Sequence, residues 1–201
     1  MELYIVRHGE TDTNHEGKIN GSATDLNLNK SGVNQVEYLK KHINIEMFDE
    51  IYSSPLKRAR QTADILNQNV HVIKTDDRLR EINYGSWDGL PVAPTKSQHP
   101  DGFDENNYID EDYIKYAKNG ESYDHVYDRV TSFMNDLKKT VNNKKILIVC
   151  HGFITRSFVK VVTQTPDIAN IVEPDNASVT KIKITKSGNL YLMYYGRLED
   201  I

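Results

Sequence analysis

Two apolar runs that each end in His-Gly restrict the possible folds of this chain most strongly. "YIVRHG" occupies residues 4–9 and "LIVCHG" occupies residues 147–152. Apolar runs of this length are typical of strands buried on both faces of an α/β sheet, and ligands bind at the carboxyl edge of such sheets. Either histidine alone is more readily explained as a satisfied polar residue at a strand end. The repetition instead predicts that His8 and His151 face one another at a site.

The rest of the chain alternates short apolar runs with polar, periodic segments. Apolar residues at helical spacing predict helices over 30–43 and 55–68, the second beginning with Pro55 in its first turn. After residue 175, single-residue alternation around a Ser-Gly-Asn turn predicts an antiparallel hairpin at a sheet edge. We therefore expect a three-layer α/β/α fold with a mixed, mostly parallel central sheet, whose other strands are predicted at 2–6, 49–54, 70–75 and 144–150.

The alternation of short apolar runs with polar, periodic segments is absent between Asp88 and Gly120. Residues 91–120 contain three prolines, six acidic residues and three lysines, but no arginine. This composition favours an inserted, mobile excursion over a second core. We expect one domain over residues 1–201 with a cap-like insertion at about 88–121. Its aromatic residues either line a substrate pocket or pack on the core: Phe103, Tyr108, Tyr113 and Tyr116.

Composition narrows the class of partner. The 201 residues include 25 Lys and Arg against 29 Asp and Glu, so the formal charge is -4. The sequence therefore lacks the excess of positive charge that is typical of proteins that bind nucleic acid or a membrane surface. The single Cys150 cannot form an internal disulfide, and the apolar runs are far shorter than the roughly 18 residues of a spanning helix. We expect a cytoplasmic protein that binds neither nucleic acid nor a membrane, with a homodimer left open.

Cations accompany the two strand ends. Arg7 adjoins His8, and "SSPLKRARQTA" places Lys57, Arg58 and Arg60 on the first turns of a helix that follows a strand. Helical spacing allows one or two of these three to reach the strand-end edge, while the others lie on a solvated helix face. Cations beside a helix N-terminus favour a phosphate ligand.

Four motifs occur in a single order along the chain. They are "RHGET" at 7–11, "SSPLKRARQTA" at 53–63, "LREINYGSWDG" at 79–89 and "CHG" at 150–152. The ordered set resembles the histidine phosphatases, the branch of the phosphoglycerate mutase superfamily whose nucleophile is the histidine of RHG. One departure is Phe153, which stands where a small residue often follows the His-Gly pair.

The resemblance implies a metal-independent phosphatase that hydrolyses small phosphomonoesters through a phosphohistidine and needs no cofactor. Nearby guanidinium groups would keep the nucleophilic imidazole neutral, and a bound phosphate would push a neighbouring carboxyl toward its protonated form. Position by position, it implies that His8 is the nucleophile and that Glu81 is the proton donor. The phosphate-binding groups would be Arg7, Arg58 and His151, and the two further substrate contacts would be Asn14 and Gly21.

Two other functions remain open. A cofactor-dependent phosphoglycerate mutase would share the catalytic core, but mutases carry paired arginines in the insertion, which residues 91–120 lack. A low-turnover phospho-ligand-binding regulatory protein would need the cations but not a nucleophile paired with an acid. No metal site is expected from the remaining five histidines, which lack ligand spacing and are predicted at the surface: His15, His42, His71, His99 and His125.

Overall fold

The computed structural model describes residues 1–139, 143–199 and 201. Within these residues, six strands form one sheet: β1 (Glu2–Arg7), β2 (Glu50–Ser53), β3 (Ile73–Thr75), β4 (Lys145–Cys150), β5 (Val179–Ile184) and β6 (Leu190–Arg197). They lie in the order β3-β2-β4-β1-β5-β6, the first four parallel and the last two antiparallel. The prediction of a mixed, mostly parallel sheet with a hairpin at one edge is confirmed.

Six α-helices accompany the sheet in the described part of the chain: α1 (Asp12–His15), α2 (Lys30–His42), α3 (Lys57–Asn67), α4 (Val92–Gln98), α5 (Tyr123–Lys139) and α6 (Gly152–Thr163). Helix α3 starts two residues later than predicted. Leu56 has extended backbone angles and caps the helix, so Pro55 lies in the preceding turn instead of the first helical turn.

The two faces of the sheet carry separate apolar clusters, which gives the three predicted layers. On β1, Leu3 and Ile5 face the cluster that includes residues of α5 and α6. Tyr4 and Val6 face the opposite way, into the cluster that includes residues of α2 and α3. Successive side chains of a strand point to opposite faces, so a continuous apolar run is what a central strand covered on both sides requires.

Strand β3 is shorter than the predicted run over 70–75. Val70 donates its backbone N–H to Asn67 in the turn that ends α3, and Val72 is 84% exposed. Only Ile73–Thr75 pair with β2, at the sheet edge. The predicted strand therefore began three residues too early, because the β-branched Val70 and Val72 were counted as part of it.

The insertion packs on the core of the sheet. Phe103 and Tyr113 are buried in the same cluster as Leu3 and Ile5. The Tyr113 hydroxyl also donates to the carbonyl of Glu121 over 2.5 Å. These two aromatic residues thus have a packing role, and mobility of the insertion stays a prediction. No helix among the described residues is long and apolar enough to cross a membrane.

Parallel pairing of β1 with β4 brings the two His-Gly pairs together. Arg7 and Cys150 are register partners at the ends of these strands. The backbone N–H of His8 continues the ladder by donating to the carbonyl of Cys150 at 3.0 Å. His8 and His151 therefore leave the sheet side by side, as the repeated motif predicted.

Candidate active site

His8 is held as a neutral imidazole with one defined tautomer. Its side chain is almost fully buried, and Nδ1 lies 2.6 Å from the carbonyl oxygen of Gly9. A carbonyl only accepts, so Nδ1 carries the proton and Nε2 carries the lone pair. Burial, followed by the charges of Arg58 and Arg7, holds the pKa of His8 well below its ordinary value. The ring is therefore a neutral base at physiological pH.

Arg58 is fully buried, and each of its three guanidinium nitrogens donates a hydrogen bond to an acceptor within the protein. Its Nε donates to His8 Nε2 at 3.1 Å, while its terminal nitrogens donate to the carbonyls of Thr24 and Gly21 at 2.5 and 3.0 Å. Burial lowers its pKa to about 10, which still leaves the guanidinium charged at neutral pH. A permanent cation therefore lies beside the His8 ring.

Gly21 supports Arg58 through its backbone. Its carbonyl accepts from Arg58, and its N–H donates to Asp88 Oδ1 at 2.6 Å. A Cβ at this position would come within 2.5 to 2.7 Å of the Asp88 carboxylate and the Ile82 carbonyl. Close packing thus requires glycine here. In this structure Gly21, predicted as a substrate contact, instead contacts Arg58.

His151 lies against His8 with ring centroids 5.1 Å apart. Its Nε2 pairs with the hydroxyl of Ser54 at 2.8 Å, and its Nδ1 is buried without a hydrogen-bond partner among the described residues. Burial and the neighbouring charge of Arg58 hold the pKa of His151 well below its usual range. The neutral His151 ring is thus packed directly beside His8.

Glu81 is a buried carboxyl group whose proton affinity is raised. It is 7% exposed, and its oxygens accept from the backbone N–H groups of Ile82 and Phe153 at 3.0 and 3.2 Å. Burial, together with the charge of Glu173, raises the pKa of Glu81 to about 7. A carboxyl group poised near neutrality suits proton donation and proton acceptance in successive steps.

Arg7 is paired with an acid that the sequence did not single out. Its guanidinium lies 2.5 Å from Glu173 Oε1 and also donates to the carbonyl of Pro174. The Glu173 carboxyl group packs so closely on the first residue of α6 that a Cβ at Gly152 would lie 2.6 Å from it. Glu173 lies in a loop, two residues before "DNAS", and no spacing signal marks it.

These groups surround a small cavity of about 140 Å³. Four of the predicted site residues line it, namely Arg7, His8, Asn14 and Glu81. Arg58 and His151 contact His8 from outside this lining. The sequence prediction missed further lining residues: Lys18, Asn20, Tyr84, Arg156 and Glu173.

Two of the missed lining residues had a usable signal. Tyr84 belongs to the "EINYG" motif that identified Glu81. Arg156 follows Gly152 by four residues on α6, which places it on the same helix face, one turn along. Tyr108, for which pocket lining and core packing were both open, does line the cavity.

The remaining titratable residues add no second centre. In the described ranges, no group of three His, Cys, Asp or Glu side chains could hold a metal ion. His15, His42 and His125 are exposed as predicted, whereas His71 and His99 are half-buried. Burial raises the pKa of Cys150 to about 12, so this thiol is an inert apolar group.

The chain is similar to known proteins over nearly its whole length. The family described as "Histidine phosphatase superfamily (branch 1)" matches residues 3–195. "Phosphoserine phosphatase 1" of Hydrogenobacter thermophilus is 34% identical over 75% of this chain and 71% of its own. "Phosphoglycerate mutase-like protein 4" of Arabidopsis thaliana is 30% identical over 100% of this chain and 86% of its own. The solved structure of Bacillus stearothermophilus YhfR has a TM-score of 0.85 and 26% identity, and covers 97% of this chain and 96% of its own.

Proposed function

Because the chain belongs to the histidine phosphatase superfamily, we propose that it hydrolyses small phosphomonoesters through a phosphohistidine on His8, with Glu81 as proton donor and without a metal. The observation that carries the proposal is the defined tautomer of His8. Its Nδ1 proton is held by the Gly9 carbonyl, so the lone pair is on Nε2. A neutral, buried imidazole beside a fixed cation is the nucleophile that this reaction requires.

In the first half-reaction, Nε2 of His8 attacks phosphorus and the bond from phosphorus to the ester oxygen breaks. The leaving oxygen takes the proton of Glu81, whose pKa of about 7 keeps much of it protonated at neutral pH. The phosphorylated ring retains its Nδ1 proton and becomes positively charged. The Gly9 carbonyl, 2.6 Å from Nδ1, stabilises that charge.

In the second half-reaction, water attacks the phosphohistidine and the phosphorus–nitrogen bond breaks. The Glu81 carboxylate takes the proton of the attacking water, which restores its acid form. The bond electrons return to Nε2, so His8 is again neutral and inorganic phosphate is released. One carboxyl group therefore serves both steps, as microscopic reversibility allows.

Arginine groups supply the charge neutralisation for which other phosphatases use metal ions. Arg7 lines the cavity, and Arg58 contacts the nucleophile directly. Guanidinium groups match the oxygens of a transferring phosphoryl group in a bidentate geometry. His151 lies beside His8, and its Nδ1, which has no partner among the described residues, is the atom proposed to contact the phosphoryl group.

His8 and the buried Glu81 line the same cavity, which favours catalysis over phospho-ligand binding. Binding an anion needs cations, and it gains nothing from a buried carboxyl group with a raised pKa. The cavity of about 140 Å³ suits a small leaving group. O-phosphoserine is the first substrate to test, because a relative that is 34% identical is named a phosphoserine phosphatase.

Trapping the intermediate tests the proposal. Turnover of a labelled phosphomonoester, quenched in alkali, is expected to leave one acid-labile label on the protein, and His8→Ala should remove both the label and the turnover. His125→Ala changes an exposed histidine and should retain both. A chelator should leave the rate unchanged. Substantial turnover by His8→Ala, or loss of activity on chelation that a divalent metal restores, would overturn the mechanism.

A further inference from the structure

We propose that Arg156 forms a second anion subsite, which binds a carboxylate on the leaving group of the substrate. This inference rests on the proposed phosphatase function and specifies its substrate class: phosphomonoesters whose alcohol part carries a carboxylate close to the ester oxygen.

Arg156 is a buried cation on the wall of the cavity. It is 3% exposed and lines the same cavity as Arg7 and His8. One terminal nitrogen donates to the carbonyl of Ile168 at 2.8 Å, whereas Nε is buried without a partner among the described residues. A charge in this environment is unfavourable unless an anion or several hydrogen bonds compensate it.

The positive charges of the other arginines near the cavity are compensated by carboxylates or by several hydrogen-bond acceptors. Among ion pairs of the described residues, Arg7 pairs with Glu173 and Arg129 with Glu121, but none involves Arg156. Arg58 instead has three acceptors, the His8 ring and two carbonyls. Arg156 is therefore the cavity-lining guanidinium whose charge remains available for a ligand anion.

Two aromatic rings hold the Arg156 guanidinium in place. Its central carbon lies 4.8 Å from the ring centroid of Tyr108 and 5.8 Å from that of Phe153. Stacking of this kind restricts a guanidinium without consuming its hydrogen-bond donors. Phe153, the residue that departs from the small side chain expected after the His-Gly pair, therefore has a defined function beside Arg156.

The position of Arg156 places the subsite on the leaving-group side. The backbone N–H of Phe153 donates to Glu81, the group that protonates the leaving oxygen. Arg156 follows Phe153 by three residues on α6, a rise of about 4.5 Å along the helix axis. A carboxylate within a few bonds of the ester oxygen would thus meet the guanidinium while phosphorus lies at His8.

A matched pair of substrates isolates this contact. O-phospho-L-serine and O-phosphoethanolamine differ only by the carboxylate. The wild-type protein should show a kcat/KM at least about 10-fold higher for O-phosphoserine, the range of one charge-assisted contact. Both esters should also be measured as competitors of p-nitrophenyl phosphate, so that affinity is obtained even where turnover is slow.

Arg156→Met keeps an apolar stem between the two rings and removes the charge. It should abolish the preference for O-phosphoserine, mainly through KM, while p-nitrophenyl phosphate turnover changes little. Lys160→Met, one turn further along α6, is the matched control and should preserve the preference. If Arg156→Met does not fold, Arg156→Lys should still reduce the preference, because an ammonium lacks the planar fork.

The outcomes separate this inference from the proposed function. Equal kcat/KM and equal competition by the two esters in the wild type would overturn the subsite and leave the phosphatase intact. An equal loss for both esters in the Arg156 variants would assign Arg156 a structural role only. Turnover that persists in His8→Ala would instead overturn the proposed mechanism.

Discussion

Nε of Arg58 donates a hydrogen bond across 3.1 Å to Nε2 of His8, the atom that attacks phosphorus in the proposed mechanism. The His8 lone pair is therefore engaged by the cation that neutralises the phosphoryl group in the proposed mechanism. Attack requires this bond to be exchanged for one from Arg58 to a phosphate oxygen. Substrate binding thus frees the nucleophile and positions the cation in a single step.

Replacing Arg58 by lysine tests this double role. A lysine keeps the positive charge but cannot donate simultaneously to His8 and to the carbonyls of Gly21 and Thr24. We expect kcat/KM for p-nitrophenyl phosphate to fall about 100-fold or more. Arg60 is a half-buried arginine of the same helix that pairs with Asp64, so Arg60→Lys is the control and should retain full activity. Comparable activity of both variants would contradict the role of Arg58.

The pH dependence of turnover should reflect the two shifted pKa values. The pKa of His8 is held well below its ordinary value, so the nucleophile stays neutral as pH falls toward 6. Glu81 has a pKa of about 7 and donates only in its protonated form, so donation is lost as pH rises above 7. We expect kcat for an alkyl phosphate to decline above pH 7 relative to kcat for an aryl phosphate, whose leaving group needs little protonation. A constant ratio from pH 6 to 9 would exclude Glu81 as the donor.

The fold and the centre of the site were predictable because each depended on local sequence signals. Central strands buried on both faces must be apolar throughout, which marked β1 and β4 and placed His8 and His151 at one edge. Glu81 and Arg58 were placed by motif resemblance, and the structure puts Glu81 in the cavity and Arg58 on His8.

The parts that could not be predicted depend on contacts distant in sequence. Glu173 reaches Arg7 from a loop 166 residues away in the chain, and a single acid in a loop has no periodic signal. Tyr108 contributes to the cavity only because the insertion folds back on the sheet. The spacing of Arg156 from Gly152 on α6 was a usable signal, but its contact with the Tyr108 ring depends on how the insertion folds and had none.

The raised pKa of Glu81 also predicts an effect on stability. A carboxyl group with a higher pKa in the folded state binds its proton more tightly there, so its contribution to the free energy of unfolding falls as pH rises from about 4.5 to beyond 7. Over that range, the difference in unfolding free energy between wild type and Glu81→Gln should decrease by up to about 3 kcal/mol. Urea unfolding at pH 5 and pH 8 measures it, and a difference independent of pH would show that the pKa is not raised.

Glu173 should compete with inorganic phosphate for Arg7. The carboxylate already occupies the guanidinium at 2.5 Å, so an incoming anion must displace it. Glu173→Gln is expected to lower the inhibition constant of phosphate and of orthovanadate about 5- to 10-fold, the loss of one partly buried competing ion pair. Glu50→Gln removes an ion-paired acid at the opposite end of the sheet and serves as the control. Weaker phosphate inhibition in Glu173→Gln would mean that this acid orients Arg7 for binding.

The insertion favours hydrolysis over mutase chemistry. Residues 91–120 contain Lys96, Lys115 and Lys118 and no arginine. Lys96 donates a hydrogen bond to the Asn107 side chain at 2.7 Å, and Lys115 forms an ion pair with Asp112 at 2.5 Å. A mutase has to retain a bisphosphorylated intermediate through reorientation, which requires bidentate cations at the distal phosphate and a site closed to water.

We therefore expect phosphate release from 3-phosphoglycerate to exceed its conversion to 2-phosphoglycerate, with no activation by added 2,3-bisphosphoglycerate. In the proposed subsite, Arg156 supplies a single cavity-lining guanidinium, which suffices for one carboxylate but not for a second phosphate as well. Both reactions can be followed in one preparation, by phosphate release and by coupling to enolase. Bisphosphate-dependent interconversion faster than phosphate release would show that water is excluded from the phosphohistidine, and would replace hydrolysis by phosphoryl transfer as the reaction of this site.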